Sequence, residues 1–175
     1  MLIRQLTNND SEAFFELIQI TVDALENKEF WLPIKDEVRT HFFDKSWTVL
    51  FGAFEGSTLV GAVGLFLNES EYSESLSYLS RTYDSPAKVD RLMVLPDYRG
   101  QGITDALMKE LIAEARKLKV KNLLATIHPQ NTVARSAMQR AGMELMCSYM
   151  NKDGYFRNVF VMTIKEKKKG FFGFI

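Results

Sequence analysis

The sequence predicts one domain of the mixed α/β (α+β) class, with a mostly antiparallel central sheet flanked by helices. Three observations predict it. Strand-like and helical runs follow in the order β-α-α-β-β-β-α-β-α-β-β, with neither an internal repeat nor a linker to split them. A strand, a glycine-bearing loop and a helix run together in 89–118, VDRLMVLPDYRGQGITDALMKELIAEARKL. And 175 residues, 46% hydrophobic and 25% charged, can build a substantial core without disulfides. The domain is expected over 1–165, followed by a basic and aromatic tail, 166–175.

Residues 1–6 alternate as a short strand. Asn8, Asn9 and Asp10 then supply capping side chains, and Asn9 with Glu12 has capping-box spacing. Phe14, Leu17, Ile18, Thr21 and Leu25 share a face at helical spacing, which predicts an amphipathic helix over 11–26. The break at 27–33 carries Phe30, Trp31 and Leu32 before Pro33. These three either plug the core or place Trp31 in a substrate pocket. A second, shorter helix is expected over 36–43.

Residues 47–54 and 58–68 read as a hairpin about Glu55-Gly56-Ser57. The second run is almost wholly apolar, as a central strand would be. Within it, Gly61 and Gly64 mark a bulge or the close approach of another group. The segment 69–86 is too long for a bare loop in a compact domain, so it is an insert with a function or contains a short helix. Its Glu69, Glu71, Glu74 and Asp84 face only Arg81, which makes it either a solvated turn or an acidic rim. A buried strand follows at 122–127. The next helix is capped by Asn131 and stopped near Gly142, and a last hairpin turns at Lys152-Asp153-Gly154.

Charge and composition exclude several classes. Lys plus Arg and Asp plus Glu each total 22, without the basic surplus of a dedicated nucleic-acid binder. No apolar run approaches the ~20 residues of a bilayer span, so no stable membrane insertion is expected. The single cysteine, Cys147, reads as a buried strand residue rather than a nucleophile and fits a reducing compartment. With no charged-then-apolar leader pattern at the N-terminus, the expected location is cytoplasmic. No His/Cys/Asp cluster has metal-ligand spacing.

The loop Asp97-Tyr98-Arg99-Gly100-Gln101-Gly102 carries the chemistry. Its glycines let backbone pass close to a ligand, successive N–H groups can cradle phosphate oxygens, and Arg99 adds a bidentate charge. The helix that starts at Ile103 turns its positive end toward the same place. It is not a Walker A loop, since no Gly-Lys-Ser/Thr follows, and Asp105 replaces the third glycine of a dinucleotide fingerprint.

Together, LMVLPDYRGQGITDALM and the later HPQNTVARSAMQRAGM resemble the GNAT superfamily of acetyl-CoA-dependent N-acetyltransferases. The family's Gln/Arg-x-x-Gly-x-Gly/Ala falls on Arg99, Gly102 and Thr104. Its later signature, an Asn opening a helix, an Ala three residues on and a closing Gly, falls on Asn131, Ala134 and Gly142. The resemblance implies acetyl-CoA as co-substrate. It implies that Leu92, Met93 and Val94 splay from the neighbouring strand, pair with the pantetheine arm and polarise the thioester carbonyl. Arg99, Gly100, Gln101, Gly102, Ile103 and Thr104 would hold the pyrophosphate, and Asn131 would bond the arm near the cleft mouth.

The acceptor is then an amine, of which roughly one molecule in a few thousand is neutral near pH 7 if it is lysine-like. A base is useful, and Asp90 is the catalytic candidate. It stands where the family often has Glu, and even spacing puts it on the face of Leu92 and Val94. Its alternative is a plain ion pair, with Glu69 and Glu71 in reserve. Two positions depart from the family. Thr104 is bulkier than Gly or Ala, and Met138 occupies the place of a proton-donating tyrosine. Either Tyr72, Tyr78, Tyr83 or Tyr149 substitutes, or the thiolate leaves unassisted. His128 and His41 read as structural. The expected activity is acetyl transfer to a small-molecule amine, cationic if the acidic 69–86 segment attracts it. A non-catalytic acyl-CoA-binding module and a protein N-terminal or lysine acetyltransferase are the alternatives. The tail packs on the domain, on a second copy in a homodimer, or on an anionic surface.

Overall fold

The computed structural model describes residues 1–165. The tail expected at 166–175 lies outside the described residues. The strands are β1 (Leu2–Gln5), β2 (Thr48–Glu55), β3 (Thr58–Phe66), β4 (Pro86–Val94), β5 (Asn122–Ile127), β6 (Glu144–Met150) and β7 (Phe156–Thr163). They form one sheet in the order β1-β2-β3-β4-β5-β7-β6. All neighbours are antiparallel except β4 and β5, which run parallel. The helices are α1 (Ser11–Asp23), α2 (Asp36–Thr40), α3 (Ser73–Ser77), α4 (Ile103–Lys117) and α5 (Thr132–Arg140). The expected order holds, with α3 as the short helix inside 69–86.

Each face of the sheet is covered by its own set of helices. Phe14, Leu17 and Ile18 of α1 pack with Phe42, Leu50, Phe54, Ala62, Phe66 and Met93 on one face. Ile103, Leu107, Met108 and Leu111 of α4, with Ala137 and Met138 of α5, cover Val63, Leu65, Val89, Val94, Leu123 and Phe160 on the other. The continuous apolar run of β3 follows from this, because both of its faces are covered.

Two local expectations shift. The first helical turn is a 3₁₀ turn at Asn8–Asp10, so the reciprocal cap moves back from Asn9–Glu12 to Thr7–Asp10. The Asp10 carboxylate accepts the Thr7 N–H at 2.8 Å and pairs with Arg4 at 2.7 Å. Helix α1 also stops at Asp23, short of Leu25. Gly61 is a point of close approach, as its sequence context suggests. A Cβ there would lie 3.1 Å from Ile103 Cγ2 and 3.1 Å from the Met93 carbonyl oxygen. The missing side chain lets the first residue of α4 sit directly on the sheet.

Gly61→Val is therefore expected to overpack the junction of β3, β4 and α4. Urea unfolding should register a loss of about 1–3 kcal/mol, and an unchanged midpoint would refute the tight approach.

Candidate active site

β4 and β5 pair only at Pro86–Asn122, Ala87–Leu123 and Lys88–Leu124, and beyond these they part. The parting coincides with a bulge. Gly64 pairs with Asp90 and Ala62 with Met93, so two residues of β4, Arg91 and Leu92, stand against Val63 alone. Arg91 has φ +56°, a left-handed conformation that an arginine adopts at some cost. The splay implied for Leu92 to Val94 is present, and its physical origin is this inserted residue.

The bulge also corrects the facing expected from even spacing. Strict alternation would put Asp90 on the face of Leu92 and Val94. The extra residue reverses the alternation, so Asp90 shares its face with Lys88 and Met93 on the α1 side. Val94 belongs to the α4 side.

After β4, a 3₁₀ turn (Pro96–Tyr98) leads into Arg99, whose Nε donates to the Val94 carbonyl at 3.3 Å. Gly100 and Gly102 have φ of +75° and +76°. Gly102 is the N-cap of α4 and no side chain caps the helix, so its first N–H groups stay open to a ligand. Nothing lies within 4 Å of where a Cβ would stand at either glycine. Asn131 caps α5, accepting the Ala134 N–H at 3.1 Å.

These pieces line one cleft of about 690 Å³. Asp90, Leu92, Met93, Val94, Arg99, Gly100, Gly102, Ile103, Thr104 and Asn131 all line it, whereas Gln101 does not. Arg91, Tyr98, Arg140 and, at the end of the first helix, Thr21, Ala24 and Leu25 also line it; of these, Arg91 and Arg140 had no expected place in a site. No spacing signals those two, since they arrive from separate elements. Trp31 lines the cleft and also packs against the α1-side core. No residue of 69–86 lines it.

Charge concentrates where β4 bulges. Lys88 Nζ lies 3.0 Å from Asp90 Oδ2, Arg91 Nε lies 3.9 Å from Oδ1, and the Arg91 backbone N–H donates to Oδ1 at 2.7 Å. Burial pushes the Asp90 carboxyl up, but Lys88 and Arg91 outweigh it and hold the group well below the usual carboxylate range. Glu71 sits near the same charges, and burial raises it more than Lys88 lowers it. Arg91 Nη1 donates to the Leu32 carbonyl at 3.0 Å, with its guanidinium 4.8 Å from the Trp31 ring centre. Arg157, only 1% exposed, donates to the carbonyls of Phe156 (2.6 Å) and Glu29 (2.7 Å). Two buried arginines thus grip the segment that carries Phe30 and Trp31.

Other candidates fall outside the reacting region. His128 Nδ1 accepts the Gln130 N–H at 3.2 Å and Nε2 lies 3.4 Å from Glu29, so the ring braces a loop. His41 stacks on Trp47 at 4.0 Å. Tyr72, Tyr78, Tyr83 and Tyr149 do not line the cleft. Tyr149 stacks on Tyr78 at 4.3 Å, and burial, then Glu74, push its hydroxyl up to about 12. Met138 is buried in the cleft wall. Cys147 lies half-buried on β6, its thiol raised by burial. Among the described residues, no cluster of three or more His, Cys, Asp or Glu is placed to hold a metal ion. No described helix is long and apolar enough to cross a membrane.

Against known proteins, the sequence model of the Acetyltransferase (GNAT) family matches residues 5–143. No curated protein matches the chain. Among solved structures, a probable acetyltransferase from Staphylococcus epidermidis superposes with TM-score 0.72 at 19% identity, covering 94% of this chain and 99% of that one. The ribosomal-protein-S18-alanine N-acetyltransferase of Escherichia coli gives 0.69 at 17%, covering 97% of each. The yncA structure from Salmonella typhimurium with its cofactor acetyl-CoA gives 0.68 at 17%, covering 95% of each.

The depressed Asp90 makes a linkage prediction. Its folded-state pKa lies below the unfolded value of about 3.9, so the unfolded chain binds more protons between the two. Its stabilising effect is complete above that value and is lost as pH falls through the folded one. Asp90→Asn, which strands Lys88 and Arg91, is expected to cost on the order of 2 kcal/mol at pH 7. That difference should shrink between about pH 4 and pH 2 in denaturation series, and a constant difference would contradict the ion pair.

Proposed function

The chain belongs to the acetyltransferase (GNAT) family, and on that premise we propose that it is an N-acetyltransferase that uses acetyl-CoA and acetylates the primary amine of a small molecule by direct attack in a ternary complex. The observation that carries this reading is the parted β4–β5 cleft ending on the uncapped N-terminus of α4. The open space beside Gly100 and Gly102 fits a bulky anion against bare backbone, as the pyrophosphate of coenzyme A requires.

Acetyl-CoA, when bound, supplies an acyl group activated as a thioester. In this reading the N–H groups of Gly100, Gly102, Ile103 and Thr104 hold the pyrophosphate, Gln101 turns away from it, and Arg99 adds a charge-assisted contact. The free edge of β4 at Leu92, Met93 and Val94 takes the pantetheine arm as an added strand, and one of its N–H groups steadies negative charge on the acyl oxygen. Asn131 contributes its amide nitrogen, its oxygen being engaged in capping α5.

Asp90 is assigned the proton of the attacking amine. Its ion pairs make it a weak base, yet a weak base suffices late in the attack, when the forming C–N bond makes the amine N–H strongly acidic. The leaving thiolate needs no protein acid, because a thiol of pKa ~8.5 is a tolerable leaving group and Met138 offers no proton. The unpaired Cys147 fits a reducing, cytoplasmic setting.

Three outcomes test the assignment. Arg99→Ala and Gly102→Ala are each expected to weaken acetyl-CoA binding roughly tenfold, since each removes about 1–2 kcal/mol of charge contact or backbone fit, and unchanged affinity would remove the pyrophosphate site. Asp90→Asn should lower kcat about 10²–10⁴-fold with acetyl-CoA affinity intact, and a wild-type rate would remove it as base. Because Asp90 stays ionised well below neutrality, kcat/KM above about pH 5 should rise only with deprotonation of the acceptor amine. A further limb from a protein carboxylate in that range would contradict the assignment.

A further inference from the structure

The end of the cleft away from the glycine loop is built from the last turn of α1 and the segment behind it. Thr21, Ala24, Leu25, Glu26, Phe30 and Trp31 face the bulged part of β4 there. Two polar atoms in this wall are buried with no hydrogen-bond partner among the described residues, Thr21 Oγ1 and Arg91 Nε. Both side chains are more than nine-tenths buried. A helix threonine ordinarily satisfies its hydroxyl on the carbonyl one turn back, and this one does not.

Lys88, Arg91 and Arg157 are all buried, at 8%, 8% and 1% exposure. Asp90 is held by Lys88 at 3.0 Å and reaches Arg91 only at 3.9 Å. No carboxylate lies within 4.0 Å of Arg157 among the described residues, and its guanidinium rests on two carbonyls. Glu71 is half-buried nearby but off the cleft, and Glu26 stands exposed at the rim. Of these three cations only Arg91 lines the cleft, and its Nε is buried there without a hydrogen-bond partner, which is costly unless a ligand anion completes it. The wall is also fixed in advance. The Leu32 carbonyl, the Trp31 ring and the bulged backbone all hold Arg91 in position.

Resting on the acetyltransferase reading above, we propose that the acceptor carries a carboxylate beside its amine, as an α-amino acid does, and that Arg91 and Thr21 receive that carboxylate. Arg91 supplies charge and an N–H donor, and Thr21 supplies an O–H donor from the facing helix. The amine of the same molecule is directed toward Asp90, one residue along β4. An amino-acid acceptor replaces the cationic one suggested by the acidic 69–86 segment, because that segment does not line the cleft. The same wall separates a free amino acid from a protein N-terminus, whose α-carbonyl is neutral.

The test compares thiol release from acetyl-CoA with matched acceptors: L-amino acids, their α-carboxamides, and the simple amines lacking the carboxyl group. The expected result is at least tenfold higher kcat/KM for some amino acid over its carboxamide and its amine. Arg91→Met should raise KM for that amino acid at least tenfold more than it raises KM for the carboxamide. Arg91→Lys should recover part of the loss, and Thr21→Val should show a smaller effect of the same kind. Turnover of carboxamides or polyamines equal to or better than amino acids would overturn the proposal while leaving the acetyltransferase reading intact. If no member of the panel is acetylated, binding of the same compounds to the protein with coenzyme A present decides. Carboxylate-dependent binding lost in Arg91→Met upholds the anion site, and its absence overturns it. Circular dichroism on each variant identifies any that fails to fold, in which case the wild-type acceptor comparison decides alone.

Discussion

One extra residue in β4 governs this molecule. A regular strand would have stayed paired with β5 along its length and closed the sheet. The bulge at Arg91 turns the strand away, opens the cleft and exposes a backbone edge where a ligand arm can pair. It also sets which side chains meet there. With the alternation reversed, Asp90 and Lys88 fall toward α1, and Val94 falls toward α4. The cost is a left-handed arginine, strain of the sort that persists where surrounding contacts over-determine a conformation. Those contacts are visible in the Leu32 carbonyl, the Trp31 ring and the Asp90 carboxylate.

Much of this architecture is legible in the residues. Asn131 caps α5 and Gly142 stops it at φ +95°, because the chemistry of helix ends is local. The glycine loop at the head of α4 is legible for the same reason, since the demand for positive φ at Gly100 and Gly102 is written in the residue type. Gly61 points to a close neighbour but not to which one. Only the tertiary fold brings Ile103 there.

What stayed hidden was non-local. Period-two counting assumes an uninterrupted strand, and Arg91 carries no mark of a bulge because it is neither glycine nor a turn former. Arg157 reads as an ordinary charged residue near a hairpin turn, yet it is among the most buried side chains described, anchored on Glu29 more than a hundred residues earlier in the chain. The far wall of the cleft gathers α1, the segment after it and β4, three stretches with no shared periodicity. The acidic composition of 69–86 misleads for the same reason, because composition does not say which way a segment faces.

The three-pair parallel contact between β4 and β5 has a mechanical side. The strands β1 to β4 form one ribbon and β5, β7 and β6 another, and the paired seam between them is only Pro86–Lys88 against Asn122–Leu124, continued by the Lys121 N–H bond to the Ser85 carbonyl. Toward the cleft the ribbons are coupled through helix packing and through side-chain links such as Arg157 to the Glu29 carbonyl, not through strand pairing. A molecule lying in the gap, bonded to β4 on one side and to the head of α5 on the other, would act as a strut between two hinged plates. Such a molecule would lend the protein part of its rigidity, and the chain without it should breathe most where the ribbons are unstitched.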